Sequence, residues 1–214
     1  LLEEETTAGF FVNIGETEDE AFAIIHINDH ETSEIRLVDP RNPTAPPRLV
    51  EPRQTGHEYE LDHHDGRLII RTNADGARDF KIVTAPVATP GRAHWVELVP
   101  HQPGRLIQRH TCYRDRLVRL ERADAVPRIV LHSWADGAER AIDFPEPTYS
   151  LSFSNGEEYD TDDLRFTYSS LSTPPETWSY AMGTGVRTLL KRREIPSGHE
   201  ASDYIVERID APAS

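Results

Sequence analysis

Phe10-Phe11-Val12-Asn13-Ile14-Gly15, His57-Glu58-Tyr59-Glu60-Leu61, Arg105-Leu106-Ile107-Gln108-Arg109 and Tyr149-Ser150-Leu151-Ser152-Phe153-Ser154 are four versions of one opening strand. Their starts lie 47, 48 and 44 residues apart. Each interval holds room for four short strands and little else. A period of about 40–50 residues with four strands per unit marks a β-propeller blade. The expected fold is therefore all-β: about four blades of four antiparallel strands, as part of a larger ring. The blades are expected at about 10–51, 57–99, 105–144 and 149–191, within a propeller region of 1–192.

Within each unit the strands follow in the same order. Ala21–Ile27 is apolar and too short and β-branched for a helix. Ser33–Asp39 alternates, and Pro40, Pro43, Pro46 and Pro47 then force a loop. Asp65-Gly66 is a turn before Arg67–Thr72, and Asp136-Gly137 is another before a brief strand at Arg140–Phe144. An apolar strand early in each blade fits an inner strand covered on both faces, and the alternating later strands fit outer positions that meet water. Residues 193–214 carry Pro196, Gly198 and Pro212 and read as a tail or linker. Four blades alone would leave two blade faces uncovered, so the isolated chain is expected to self-associate.

Composition narrows the partners. The chain has 214 residues and opens on Leu1-Leu2-Glu3 rather than Met, which looks like a piece of a longer polypeptide. No leader pattern precedes it, and no run approaches the roughly 18 apolar residues of a membrane span. A net charge of −14 disfavours nucleic acid and anionic membranes and favours basic peptides. The lone Cys112 fits a reducing compartment such as the cytoplasm and reads as a small buried hydrophobe.

No catalytic constellation is visible. There is no Gly-x-Ser-x-Gly elbow, no phosphate loop and no dinucleotide fingerprint. His26 with His30, and His63 with His64, are the closest histidine groupings, but extended chain points neighbours in opposite directions, and zinc wants three or four converging ligands. Asp19-Glu20, Glu157-Glu158 and Asp162-Asp163 read as charged turns without a calcium loop. Trp95, Trp134 and Trp178 read as packing between sheets. No metal, cofactor or catalytic residue is expected in this chain.

Two segments carry more than a generic blade pattern. Arg71–Val83, and the run from Tyr159-Asp160-Thr161 through Leu164–Pro174, Met182, Thr184-Gly185 and Leu189-Leu190-Lys191 to Tyr204–Arg208, resemble the oligopeptidase B branch of the prolyl oligopeptidase family. His30–Glu34 resembles it too. Ser179 and Ala181 depart from the family pattern, which often has Asp at both positions. The resemblance implies the C-terminal part of an N-terminal seven-bladed propeller above an α/β-hydrolase domain of the same polypeptide. It implies a serine oligopeptidase that cuts short basic peptides after Lys or Arg, with the catalytic triad in the hydrolase domain and the propeller as a steric filter. Glu207, Arg208, Ile209 and Asp210 would then begin the hinge into that domain. The alternative is a stand-alone propeller that binds proteins without catalysis.

Overall fold

The computed structural model describes residues 5–153, 158–209 and 211. Among these described residues are sixteen strands in four sheets. The first sheet holds β1 (Phe11–Glu16), β2 (Ala23–Asn28), β3 (Ser33–Val38) and β4 (Arg48–Glu51). The second holds β5 (Tyr59–His64), β6 (Arg67–Thr72), β7 (Lys81–Pro86) and β8 (Val96–Val99). The third holds β9 (Arg105–Cys112), β10 (Arg116–Ala123), β11 (Val126–Ser133) and β12 (Glu139–Ala141). The fourth holds β13 (Ser150–Phe153), β14 (Asp163–Ser169), β15 (Glu176–Ala181) and β16 (Arg187–Arg192). Every sheet is an antiparallel meander in chain order. Helix among the described residues is confined to three single 3-10 turns, at Ala74–Gly76, Arg92–His94 and Ala201–Asp203. The expected blades are thus present.

The sheets stack face to face, and the sequence pattern says which faces are covered. In β6, Leu68 and Ile70 pack toward the first sheet with Ile35, Leu37, Val50 and Tyr59. Their neighbour Ile69 points the other way and packs with Ile107, Cys112 and Leu117 of the third. A continuous apolar run therefore serves two interfaces. In β14, by contrast, Leu164, Phe166 and Tyr168 pack against Val118, Leu120 and Ile129 of the third sheet. The intervening Asp163, Arg165 and Thr167 are exposed on the far face, beside Ser152, Thr177 and Ser179 by register. One face of the fourth sheet is apolar and the other is polar.

The first sheet ends differently. Its far face carries Ile25, Ile27 and Val38, onto which Phe10 packs. Arg53 lies over the Phe10 ring at 4.4 Å and pairs with Glu5 at 2.5 Å and Glu34 at 3.3 Å. The residues before β1 thus cover much of this apolar face.

The opening strands are not the most buried. β1 is exposed along its whole length, and burial concentrates in the second and third strands, such as β6 and β10. An opening strand has one hydrogen-bonded neighbour and sits at the sheet margin, so less of it is sandwiched. Strand limits also move: the expected Arg140–Phe144 strand is Glu139–Ala141. β10 and β11 run on to a two-residue turn at Asp124-Ala125, both at positive φ (51° and 62°). Ala125 in that left-handed region gives no turn signal in the sequence.

Polar groups stitch the sheets. The buried Asp62 carboxylate accepts from the Glu18 N–H (3.0 Å) beyond the first sheet's opening strand, from its neighbour His63 N–H (2.8 Å), and from the Cys112 N–H (2.7 Å) of the third sheet. The buried Tyr59 hydroxyl accepts from the Ile35 N–H and donates to the Glu51 carbonyl, both at 2.7 Å. Arg119, 1% exposed, meets Glu121 at 3.0 Å and both oxygens of Glu139 at 2.7 Å.

Asp62→Ala strands three N–H groups. It is expected to lower the unfolding free energy by about 3 kcal/mol or more, at roughly 1 kcal/mol or more per group, read from the urea midpoint. Asp62→Asn keeps one acceptor oxygen and should cost less. A second expectation concerns acid. The Arg119 hydrogen bonds hold the Glu139 carboxyl below its ordinary value against the opposing effect of burial. Its stabilisation is therefore complete above the unfolded carboxylate value of about 4.3 and is lost as pH falls through the lower folded value. Arg119→Met removes that gain and leaves the buried Glu121 with only its longer ion pair to Arg105 at 4.0 Å. It should destabilise by about 3–5 kcal/mol at neutral pH and flatten the acid limb of the stability curve.

Candidate functional site

The residues singled out from the sequence do not converge. His63 and His64 point apart: His63 Nδ1 meets Asp19 at 2.5 Å, while His64 Nδ1 meets the Tyr159 hydroxyl at 2.8 Å and its ring stacks on Trp134 at 4.3 Å. His26 lies in β2, and His30 sits edge-on to Phe11. Among the described residues no three His, Cys, Asp or Glu side chains gather as metal ligands. Burial pushes the Cys112 thiol well up, with the Asp62 carboxylate adding to it, so Cys112 is a packed side chain rather than a nucleophile.

Two of the acidic pairs have structural partners. Asp19 pairs with His63, and Asp162 accepts from the Gly183 N–H at 3.0 Å. Glu157 lies outside the described residues. Trp95 packs between the first and second sheets, Trp134 between the second and third, and Trp178 against the third and fourth. Ser179, one of the positions that depart from the family pattern, donates its hydroxyl to Asp163 at 3.0 Å. An ionised Asp there would have no proton to donate.

Of the hinge candidates, Arg208 donates to the Asp124 carbonyl at 2.7 Å, at the β10–β11 turn. Glu207 and Ile209 are exposed, Ile209 at 88%. Asp210 lies outside the described residues.

One concave feature was not foreseen. A cleft of about 1020 Å³ lies between the covered face of the fourth sheet and the tail. Phe144, Tyr168 and Trp178 form its aromatic wall, Arg187 and Arg192 its charged margin, and residues 193–202 its other side. Arg187 lies over the Phe144 ring at 5.0 Å, and Arg192 pairs with the buried Glu176 at 2.7 Å. Beside the cleft, Glu146 accepts from four hydroxyls: Ser172 (2.5 Å), Ser170 (2.7 Å), Thr173 (3.2 Å) and Tyr168. Burial works to raise this carboxyl, but the four hydrogen bonds outweigh it and hold it below its ordinary value. Tyr168 and Ser170–Thr173 fall within the run that resembles the family, yet four hydroxyls meeting one carboxylate from the preceding connection is visible only in three dimensions.

The geometry is that of a stack of sheets with a cleft at its last member, and comparison with known proteins gives the family. Residues 1–193 match the family described as prolyl oligopeptidase, N-terminal β-propeller domain. Dipeptidyl aminopeptidase BI of Pseudoxanthomonas mexicana is 36% identical over all of this chain and 29% of its own length. Protease 2 of Moraxella lacunata is 28% identical over 98% of the chain and 30% of its own length. Among solved structures, oligopeptidase B from Leishmania major superposes with a TM-score of 0.87 at 29% identity, over 97% of this chain and 30% of that one. Oligopeptidase B from Trypanosoma brucei superposes with a TM-score of 0.88 at 26% identity, over 95% and 30%. The chain thus spans under a third of the length of these relatives. With four meander sheets stacked in chain order and a match running from its first residue through β16, the chain belongs to the N-terminal β-propeller domain family of the prolyl oligopeptidases.

Proposed function

We propose that this chain is the propeller portion of a serine oligopeptidase that hydrolyses short peptides after Lys or Arg. The observation that carries the reading is the superposition of 97% of the chain on oligopeptidase B at 29% identity, spanning 30% of that enzyme. Four sheets would then be part of a seven-bladed ring, and an α/β-hydrolase domain of the same polypeptide would supply the nucleophile. The propeller would act as a steric filter, admitting peptides and excluding folded proteins. Glu207–Asp210 would open the hinge between the two domains, and 193–214 would form the connection. The net charge of −14 would draw basic peptides toward the molecule. The single buried cysteine suits a reducing compartment such as the cytoplasm.

A second reading rests on the 36% identity to a dipeptidyl aminopeptidase. The two readings differ in what they require of the substrate's amino end, since release of dipeptides needs a free one.

The test uses the intact polypeptide and fluorogenic peptides. On the oligopeptidase reading, amino-blocked peptides ending in Arg or Lys turn over. They exceed matched Gln peptides in kcat/KM by on the order of a hundredfold or more. The preference for basic peptides weakens as salt is raised. Turnover only of free-amino substrates, two residues at a time, selects the dipeptidyl reading. Absence of any hydrolysis would favour the non-enzymatic binding module. Residues 1–214 alone should be inactive, since amide cleavage needs an activated nucleophile and an oxyanion site.

The isolated chain should self-associate through its first sheet. Phe11, Val12 and Ile14 are 57%, 47% and 82% exposed on β1, a margin strand with open backbone groups. The far face of the fourth sheet offers hydroxyls and charges instead. Light scattering should show dimers or larger species at micromolar concentration, and Val12→Lys with Ile14→Lys should return the chain to monomer. A monomeric parent chain refutes the proposal.

A further inference from the structure

The tail is held to the fourth sheet at a few defined points. The Arg193 N–H donates to the Pro175 carbonyl at 2.9 Å. His199 Nε2 donates to the Ser172 carbonyl at 2.6 Å, and its ring stacks on Tyr204 at 5.2 Å with 17° between the planes. Between Arg193 and His199 the chain forms one wall of the cleft. Both accepting carbonyls belong to the loop that joins β14 to β15. That loop is held by Glu146 through Ser170, Ser172 and Thr173, with Tyr168 completing the set. Glu146 itself sits on the connection between the third and fourth sheets.

We infer that Glu146, the Ser170–Thr173 loop and His199 form a latch that fixes the tail against the fourth sheet and sets the direction in which the chain leaves it. The physical chain is short. A carboxylate that accepts hydrogen bonds from four hydroxyls leaves the loop little freedom. A fixed loop presents the Ser172 carbonyl where the imidazole N–H can reach it. The imidazole in turn orients Tyr204, the first residue of the extended segment that leads to Arg208. Opening the latch would free 193–204 while leaving the sheets stacked, because no member of it lies in the cores between the first three sheets. The pivot of the proposed hinge is then upstream of Glu207, at the latch. Only this effect on turnover rests on the peptidase reading; the latch itself does not.

Hydrogen exchange resolved by segment, measured on the intact polypeptide, tests it. His199→Ala should speed exchange over 193–204 by roughly tenfold, the worth of one charge-free hydrogen bond with its stacking contact. His199→Gln, whose amide can still donate to the Ser172 carbonyl, should recover most of the protection. Glu146→Ala should loosen 170–175 and 193–204 together, with Glu146→Gln intermediate. Unchanged exchange over 193–204 in His199→Ala overturns the latch, as does an acceleration spread evenly over all four sheets in both Ala variants. Should Glu146→Ala fail to fold, the His199 pair still decides. Lost protection with unaltered kcat and KM supports the latch and overturns its role as the hinge of a peptidase. Lost protection with altered turnover supports both.

Discussion

Sheets covered on both faces must join their margins without stranding backbone donors, and Asp62 is where this chain meets that constraint. Its two oxygens take N–H groups from beside the first sheet, from its own strand and from the third. Apolar packing alone would press the sheets together without fixing their rotation, because it has little directionality. A carboxylate with three donors has direction, and it is buried where an unmade bond is costly. Tyr59 does the same between the first two sheets, and Arg109 reaches the Phe153 carbonyl at 2.8 Å between the last two. The stacking is thus apolar in bulk and polar in register.

The two ends of the stack are unlike. The first sheet presents isoleucines that Phe10 and its Arg53 clamp cover, whereas the fourth presents serines, threonines and charges. An apolar face that is not covered would be a liability in water; a polar one is at ease there or against a hydrogen-bonding neighbour. In a closed ring these two faces would meet other blades of the same polypeptide, and their difference sets the kind of contact each can make.

The tail belongs to the same logic. Proline and glycine prevent it from extending the fourth sheet, yet it is tied back by backbone carbonyls that a single carboxylate positions. A platform that positions its exit segment can influence what is attached to it without any catalytic group of its own.

Much of this was legible in the residues. The four-strand period, Asp65-Gly66 as a two-residue turn, and the contrast between Leu68-Ile69-Ile70 and the alternating Asp163–Tyr168 run follow from side-chain direction along extended chain, a local property. The order and number of sheets needed nothing more. The sequence pattern did not mark β1 as exposed, because which strand lies at a margin depends on hydrogen bonding between segments far apart. It missed the turn at Asp124-Ala125, where strand pairing imposes a left-handed alanine. It marked His63 with His64 as a histidine grouping and the acidic pairs as charged turns, but not their partners. Asp62 joining segments 44 and 50 residues away, and Glu146 collecting hydroxyls 22 to 27 residues on, were decided by the tertiary structure alone. Hydrogen-bond partners are chosen by position in space, and the sequence records periodicity rather than position.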